Sequence, residues 1–319
     1  MRILSMIIFV CFPLVFMVGC QRNRSGDMEN TNGGNIRFLF DWDGYKEIPP
    51  GMNLIFYPII DEKSSESDYM GAAIEYQLQY DGGDVSLPVG RYNVLIYNDY
   101  TYNIRYKGMD GFSTAEGYLD DYDLQPLASR VIGSHNVTEP DLFYVTQLKD
   151  LVVTSQDEDR VIVVLPKLKT LILYIHVAVK GVHNVSMVDG GISGIAGSIM
   201  LATGTSPDES PVNCLFPMTI TEEGFYTERR VFLLSSSLTA SYILELAFLL
   251  RDNSISMGKY KYDISDQIIM ALQDNGGEIP PEGIHIYVDN VVVEDVNASG
   301  GGFDATVDTW GDEVNIELK

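Results

Sequence analysis

Apolar residues alternate along this chain in runs too short and too regular for helices, and that alternation limits the fold more than any other feature. Between residues 170 and 179, Leu171, Leu173, Ile175, Val177 and Val179 alternate with Ile172, Tyr174, His176 and Ala178. A period of two sends successive side chains to opposite faces of a strand, whereas a helix needs spacings of three and four. Similar runs occupy residues 36–42, 53–60, 74–80, 84–87, 91–97, 142–145, 151–154 and 160–165. They continue at 195–203, 212–220, 225–234, 241–250, 257–262, 284–293 and 313–318. Turn chemistry separates them: Tyr80-Asp81-Gly82-Gly83 has hairpin character, and Leu87-Pro88-Val89-Gly90 divides two β-type runs. One helix is expected, because Ile264, Ile268, Ile269 and Leu272 share a face, Ser265 or Asp266 is placed to cap its start, and Asn275-Gly276-Gly277 ends it. The fold class is therefore all-β: two tandem antiparallel β-sandwich domains, with one short helix in the second.

The alternation fails in two places. Residues 98–139 are rich in Tyr, Gly and Asp and read as a long functional loop or a decorated sheet edge. Ser155-Gln156-Asp157-Glu158-Asp159 breaks the apolar pattern again, which sets the domains at residues 35–157 and 158–319. Ahead of them, residues 20–34 are polar and glycine-rich, the composition of a flexible tether.

The first nineteen residues have a different grammar. Arg2 is followed by an apolar run to Val18, interrupted by Pro13 and ending at Gly19-Cys20. The run is shorter than the roughly 20 apolar residues of a spanning helix and matches a secretory signal removed after export. A small residue directly before Cys20 resembles the lipobox of bacterial lipoproteins, with Met17 where Leu is usual. The expectation is cleavage before Cys20 and a diacylglyceryl group on its sulfur, each buried CH₂ contributing roughly 0.8 kcal/mol of membrane affinity.

With Cys11 removed and Cys20 lipidated, Cys214 is the only free thiol and no intrachain disulfide can form. Stability must then come from buried apolar surface, and 45% hydrophobic residues over 319 supply it. Cys214 lies in Asn213-Cys214-Leu215-Phe216, an apolar context that suits packing rather than nucleophilic attack. The formal charge of −24, or −25 once Arg2 leaves with the signal, has no basic cluster to offset it and excludes DNA and RNA as partners.

No catalytic constellation emerges. His135, His176, His183 and His285 are scattered outside any metal-ligand spacing and read as structural. Gly190-Gly191-Ile192-Ser193-Gly194-Ile195-Ala196-Gly197-Ser198 fits neither a phosphate-cradling loop nor a nucleophile elbow, and reads as a glycine-rich turn leading into a strand with close backbone packing. Asp41 and Asp43, and more so Asp120, Asp121 and Asp123, are weak Ca²⁺ candidates set against plain solvated loop charge. No carboxylate pair stands out for glycoside cleavage, and no cofactor is called for. Tyrosines gather at Tyr97, Tyr100, Tyr102, Tyr106, Tyr118 and Tyr122, where rigid amphipathic rings make either a contact surface or the cover of a sheet.

Taken in order, these features resemble a family. The Cys20 lipobox and polar tether are followed by Phe40-Asp41-Trp42, Pro50-Gly51-Met52, Ile55-Phe56-Tyr57-Pro58, Gly82-Gly83, Leu87-Pro88-Val89-Gly90-Arg91-Tyr92 and Tyr97-Asn98. Asp141-Leu142-Phe143-Tyr144, Val179-Lys180-Gly181-Val182, Ile192-Ser193-Gly194-Ile195-Ala196 and Asp263-Ile264-Ser265-Asp266-Gln267-Ile268 extend the likeness. The set is similar to the fimbrillin-like lipoproteins of Bacteroides and its relatives. That resemblance implies transthyretin-like sandwiches, transport to the outer membrane and a lipid-anchored place on the cell surface. It implies partners too, other fimbrial subunits joined by strand addition to a sheet edge. Stalk subunits of the group are matured by cleavage after Arg; Arg22 and Arg24 lie in the tether, Arg37 in a strand and Arg160 near the domain boundary, so no clear maturation site stands out. The expected role is a non-enzymatic anchor, tip or accessory subunit of a fimbria-like assembly. The alternative is a carbohydrate-binding surface lipoprotein, and a glycan or host-protein ligand for the tyrosines fits either.

Overall fold

The computed structural model describes residues 33–42, 44–59, 72–122, 135–157, 160–207 and 211–294. The lipidation candidate Cys20, the carboxylates Asp43 and Asp123, and the run at 313–318 lie outside them. The first half contains β1 (Gly33–Phe40), β2 (Gly51–Pro58), β3 (Ile74–Gln79), β4 (Gly82–Pro88), β5 (Gly90–Asn98), β6 (Ile104–Lys107), β7 (Glu116–Leu119), β8 (Asn136–Val137), β9 (Tyr144–Val153), β10 (Arg160–Val164) and β11 (Lys167–Leu168). The second contains β12 (Thr170–Lys180), β13 (Val185–Ala196), β14 (Ser198–Met200), β15 (Pro211–Pro217), β16 (Thr219–Ile220), β17 (Gly224–Phe232), β18 (Ile243–Leu250), β19 (Ile255–Asp263), α1 (Ser265–Asp274) and β20 (Ile284–Val292).

The first sheet runs β10-β1-β4-β3-β2-β5-β9-β11 and bends over itself. β1 alternates strictly, sending Ile36, Phe38 and Phe40 inward to meet Met52, Leu54 and Phe56 of β2, with Phe38 and Phe56 packed edge to face at 5.9 Å. β2 and β5 do not alternate: their other faces bury Ile55, Tyr57, Leu95 and Tyr97 in a second core. Strands covered on both faces read as nearly continuous apolar runs, as these do. The second sheet runs β19-β18-β13-β17-β12-β20, with β15 on β13 and β16 on β17. Its core joins Leu171, Leu173 and Ile175 to Ile192, Phe225, Leu244, Phe248 and the helix residues Ile268 and Leu272.

Several expectations are corrected. Most pairings are antiparallel, but β1 with β10, β12 with β20 and β8 with β15 are parallel, made by long excursions of chain that turn signals do not reveal. The runs at 142–145 and 151–154 belong largely to one strand, β9, interrupted by a bulge at Asp150, whose φ of 58° is tolerated by an Asp held by Arg91 at 2.6 Å. The glycine stretch from 190 has the expected close backbone packing, but 190–194 is strand rather than turn. It lies inside β13, where Gly190 lets the Phe216 ring approach the backbone and Gly194, at φ 84°, forms a bulge against the Ser241 carbonyl. Neither Ser265 nor Asp266 caps α1. The Asp263 carboxylate accepts from the Ser265 N–H at 2.9 Å and its hydroxyl at 2.5 Å, while that hydroxyl accepts from Tyr242 N–H. Residue 157 falls before β10, and both β10 and β11 still belong to the first sheet; membership changes between Leu168 and Thr170.

Residues 98–139 hold strands as well as loop. β6 and β7 form a third sheet with β14 of the second half, order β14-β7-β6, and β8 pairs with β15. Those short strands escaped the sequence reading because four residues show too little periodicity to register.

Gly194→Ala should destabilise the protein by about 1–3 kcal/mol in urea unfolding, because a Cβ there meets the Ser241 carbonyl as well as an unfavourable φ. Gly258→Ala has a similar φ of 77° and open space, so it should lose clearly less. Equal losses would contradict the close packing at the bulge.

Candidate functional site

Residues 139–144 act as a strap between the sheets. Asn98 donates to Leu142 O at 3.0 Å and accepts from Tyr144 N–H at 2.7 Å, which fixes the strap to the first sheet. Thr170 accepts from Phe143 N–H at 3.0 Å and donates to Asp141 O at 3.0 Å, which fixes it to β12. Glu139 reaches β17, accepting from Arg229 at 3.2 Å and from Arg230 N–H at 2.9 Å. The Asp141 carboxylate accepts from the backbone N–H groups of Tyr102 and Asn103, both at 2.6 Å, so the strap also shapes the loop that displays Tyr102.

The six tyrosines therefore divide. Tyr97 is buried and packs at 5.0 Å on Tyr106, which packs on Phe143, which packs on Phe232 at 5.9 Å. Burial pushes the Tyr106 phenol up to about 12 and the Tyr97 phenol higher still. These two serve the core. Tyr118 and Tyr122 are partly covered, Tyr118 beneath the Lys107 ammonium at 5.1 Å. Tyr100 and Tyr102 are the exposed members, at 67% and 78%. Of the calcium candidates, Asp120 is bound to Arg105 at 2.9 Å and Asp121 lies 3.6 Å from His135. No cluster of three His, Cys, Asp or Glu side chains is formed among the described residues. Cys214 is buried in the core, and burial raises its thiol to about 12, leaving almost no thiolate at neutral pH.

Sheet edges offer more chemistry, and they differ. At the β20 edge, Gln267 of α1 donates to Tyr287 O at 3.0 Å and accepts from Tyr287 N–H at 2.8 Å, taking the place of a neighbouring strand. β19 carries Lys259 and Lys261. β10 has neither guard: Val161, Val163 and Leu165 are 52%, 56% and 62% exposed, and outward-facing Leu39 lies opposite Val163. Among the described residues its outer edge has no partner strand. The sequence placed β10 correctly but gave no sign that its β-branched face would be left open.

Among the described residues the chain is thus a two-core, multi-sheet β protein whose β10 edge is apolar and unguarded. Its fold is shared by a candidate adhesin of Bacteroides ovatus, with a TM-score of 0.63 and 22% identity over 82% of this chain and 92% of the other. A candidate polysaccharide-binding protein of Bacteroides thetaiotaomicron follows at TM-score 0.52 and 11% identity, over 81% and 89%. In sequence, the chain is 27% identical over 96% of its length and 95% of the relative's to a Bacteroides ovatus protein described as a candidate fimbrium anchoring subunit, Fim4B. The chain belongs to the family described as a domain of unknown function, DUF5119, whose model matches residues 21–217. These relatives agree with the fimbrillin-like resemblance of the sequence and with a β-rich fold.

Tyr97→Ala should cost about 3 kcal/mol or more of stability, as truncation of a buried aromatic does, whereas Tyr102→Ala should stay within about 0.5 kcal/mol. Chemical denaturation of both variants checks the division. In a chain starting at residue 21, Cys214 should resist a thiol-specific disulfide reagent at pH 8 until denaturant is added; rapid labelling of the native protein would contradict its burial.

Proposed function

We propose that the protein is an anchoring or accessory subunit of a fimbria-like surface assembly, held to the outer membrane by lipid on Cys20 and engaging a neighbouring subunit along the β10 edge. The exposed apolar edge of β10 carries this reading. An extended segment added there would pair with unpartnered backbone groups and cover Val161 and Val163 at once. The end-to-end relationship to Fim4B, described as an anchoring subunit, supports the same role. In this reading the work is structural and no catalytic step is needed. Residues 35–168 form the unit that carries the docking edge, and the second sheet braces it through the strap. Arg160 opens β10 and Arg37 lies within β1, so cutting after either would damage the edge rather than prepare it. The carbohydrate alternative rests on the exposed rings of Tyr100 and Tyr102.

Replacing Val161 and Val163 together by Lys should change stability by no more than about 0.5 kcal/mol per site, since both side chains face solvent. The same variant should lose crosslinks to neighbouring subunits on intact cells. Unchanged crosslinking would remove β10 as the docking edge. Cys20→Ala should abolish labelling by palmitate and release the protein from membranes; continued membrane retention would sink the lipid anchor.

A further inference from the structure

On the outward face of the second sheet, the parallel pair β12 and β20 brings four rings together. Tyr174 stands opposite His285 and His176 opposite Tyr287. Each opposed pair stacks face to face, with centroids 4.8 Å apart at 21° and 5.0 Å apart at 14°. Tyr226 of β17 flanks His176 at 5.1 Å. The diagonal contact differs in kind. His176 Nε2 and His285 Nδ1 are 3.2 Å apart while the ring centroids are 5.4 Å apart and inclined by only 17°. Those two distances differ by about two ring radii, so the imidazoles lie edge to edge and in line, nitrogen facing nitrogen in a hydrogen bond whose donor depends on the tautomer.

The cross-strand stacking limits what this surface can bind. Ring faces are largely used within the pairs, which leaves polar edges for a ligand and argues against a platform for sugar rings. Facing imidazole nitrogens suit borderline divalent transition ions. At a metal–nitrogen distance of about 2.0–2.1 Å, an ion equidistant from both nitrogens would subtend about 100°, between a right angle and the tetrahedral angle. Each ring would have to turn by about 40° to aim its lone pair at that point, a movement about χ2, a soft torsion in histidine, that slides the ring across its tyrosine neighbour. An ion bound there would displace the proton shared between the two facing nitrogens, so binding releases a proton.

We propose that His176 and His285 form a two-imidazole chelate for a divalent transition ion of the zinc(II) and copper(II) class. The tyrosines fix the two rings from either side, the orienting task that neighbours perform at metal sites. No third protein ligand converges there among the described residues, so water completes the coordination. The site is independent of the β10 edge and of any fimbrial role.

The test is calorimetric titration of the full mature chain, stripped with chelator, with zinc(II) and in a separate experiment copper(II) at neutral pH. One ion per chain is expected to bind saturably. His176→Gln and His285→Gln should each weaken that binding by roughly tenfold or more, and lowering the pH through the imidazole range should release the ion. His135→Gln and His183→Gln should leave it unchanged, and circular dichroism confirms that every variant is folded. Absence of saturable binding overturns the proposal. Binding that survives in the folded double variant also overturns it, since the ion would then sit elsewhere.

Discussion

The structure depends on a row of aromatic contacts that no single sheet owns. Tyr97 leaves the first sheet, Tyr106 belongs to the third, Phe143 to the strap, and Phe232 to the second, each packed on the next. Around this row one hydrophobic core runs from the outer face of β2 and β5 into the second sheet. The third sheet is itself shared, because β7 pairs with β14 across the chain. Two beads on a string would each close a separate core. Here the first half closes one and contributes a face to the other, so loosening the strap would expose apolar surface on both sides.

That sharing explains which parts of the fold were legible in the sequence. Period-two runs are a local signal, and most of the strands they mark are present. Pairing across the halves is non-local, and short strands such as β6, β7 and β8 carry too little pattern to announce it. Glycine misled in a specific way. In β13 it is a turn former used as a spacer, where the approach of Phe216 and the Ser241 carbonyl leaves no room for a side chain. The tyrosine cluster was real as a sequence feature but not as one surface. Tyr97 and Tyr106 face the core, while Tyr100, at φ 58°, marks the point where the chain turns outward toward Tyr102.

The candidate sites were illegible for a related reason. His176 and His285 are 109 residues apart and meet only because β12 and β20 lie in parallel register. Exposure of Val161 and Val163 cannot be read from an apolar run, since the same run would suit a covered strand. What distinguishes β10 is the lack of a neighbour, a property of the sheet and not of the segment.

An open apolar edge raises the question of what it pairs with, and charge weighs against a second copy. The chain carries 45 acidic and 21 basic residues, a formal charge of −24. Two such bodies approaching edge to edge repel one another, an effect that weakens in salt but does not reverse. The guards on the other long edges point the same way: Gln267 occupies β20 and lysines line β19, so indiscriminate strand pairing is suppressed where it is not needed. Among the described residues, β10 combines unpaired edge backbone groups with exposed β-branched side chains. In the proposed reading, a segment added there would be extended and apolar, and one from a body carrying less negative charge than this chain would meet less repulsion than a second copy.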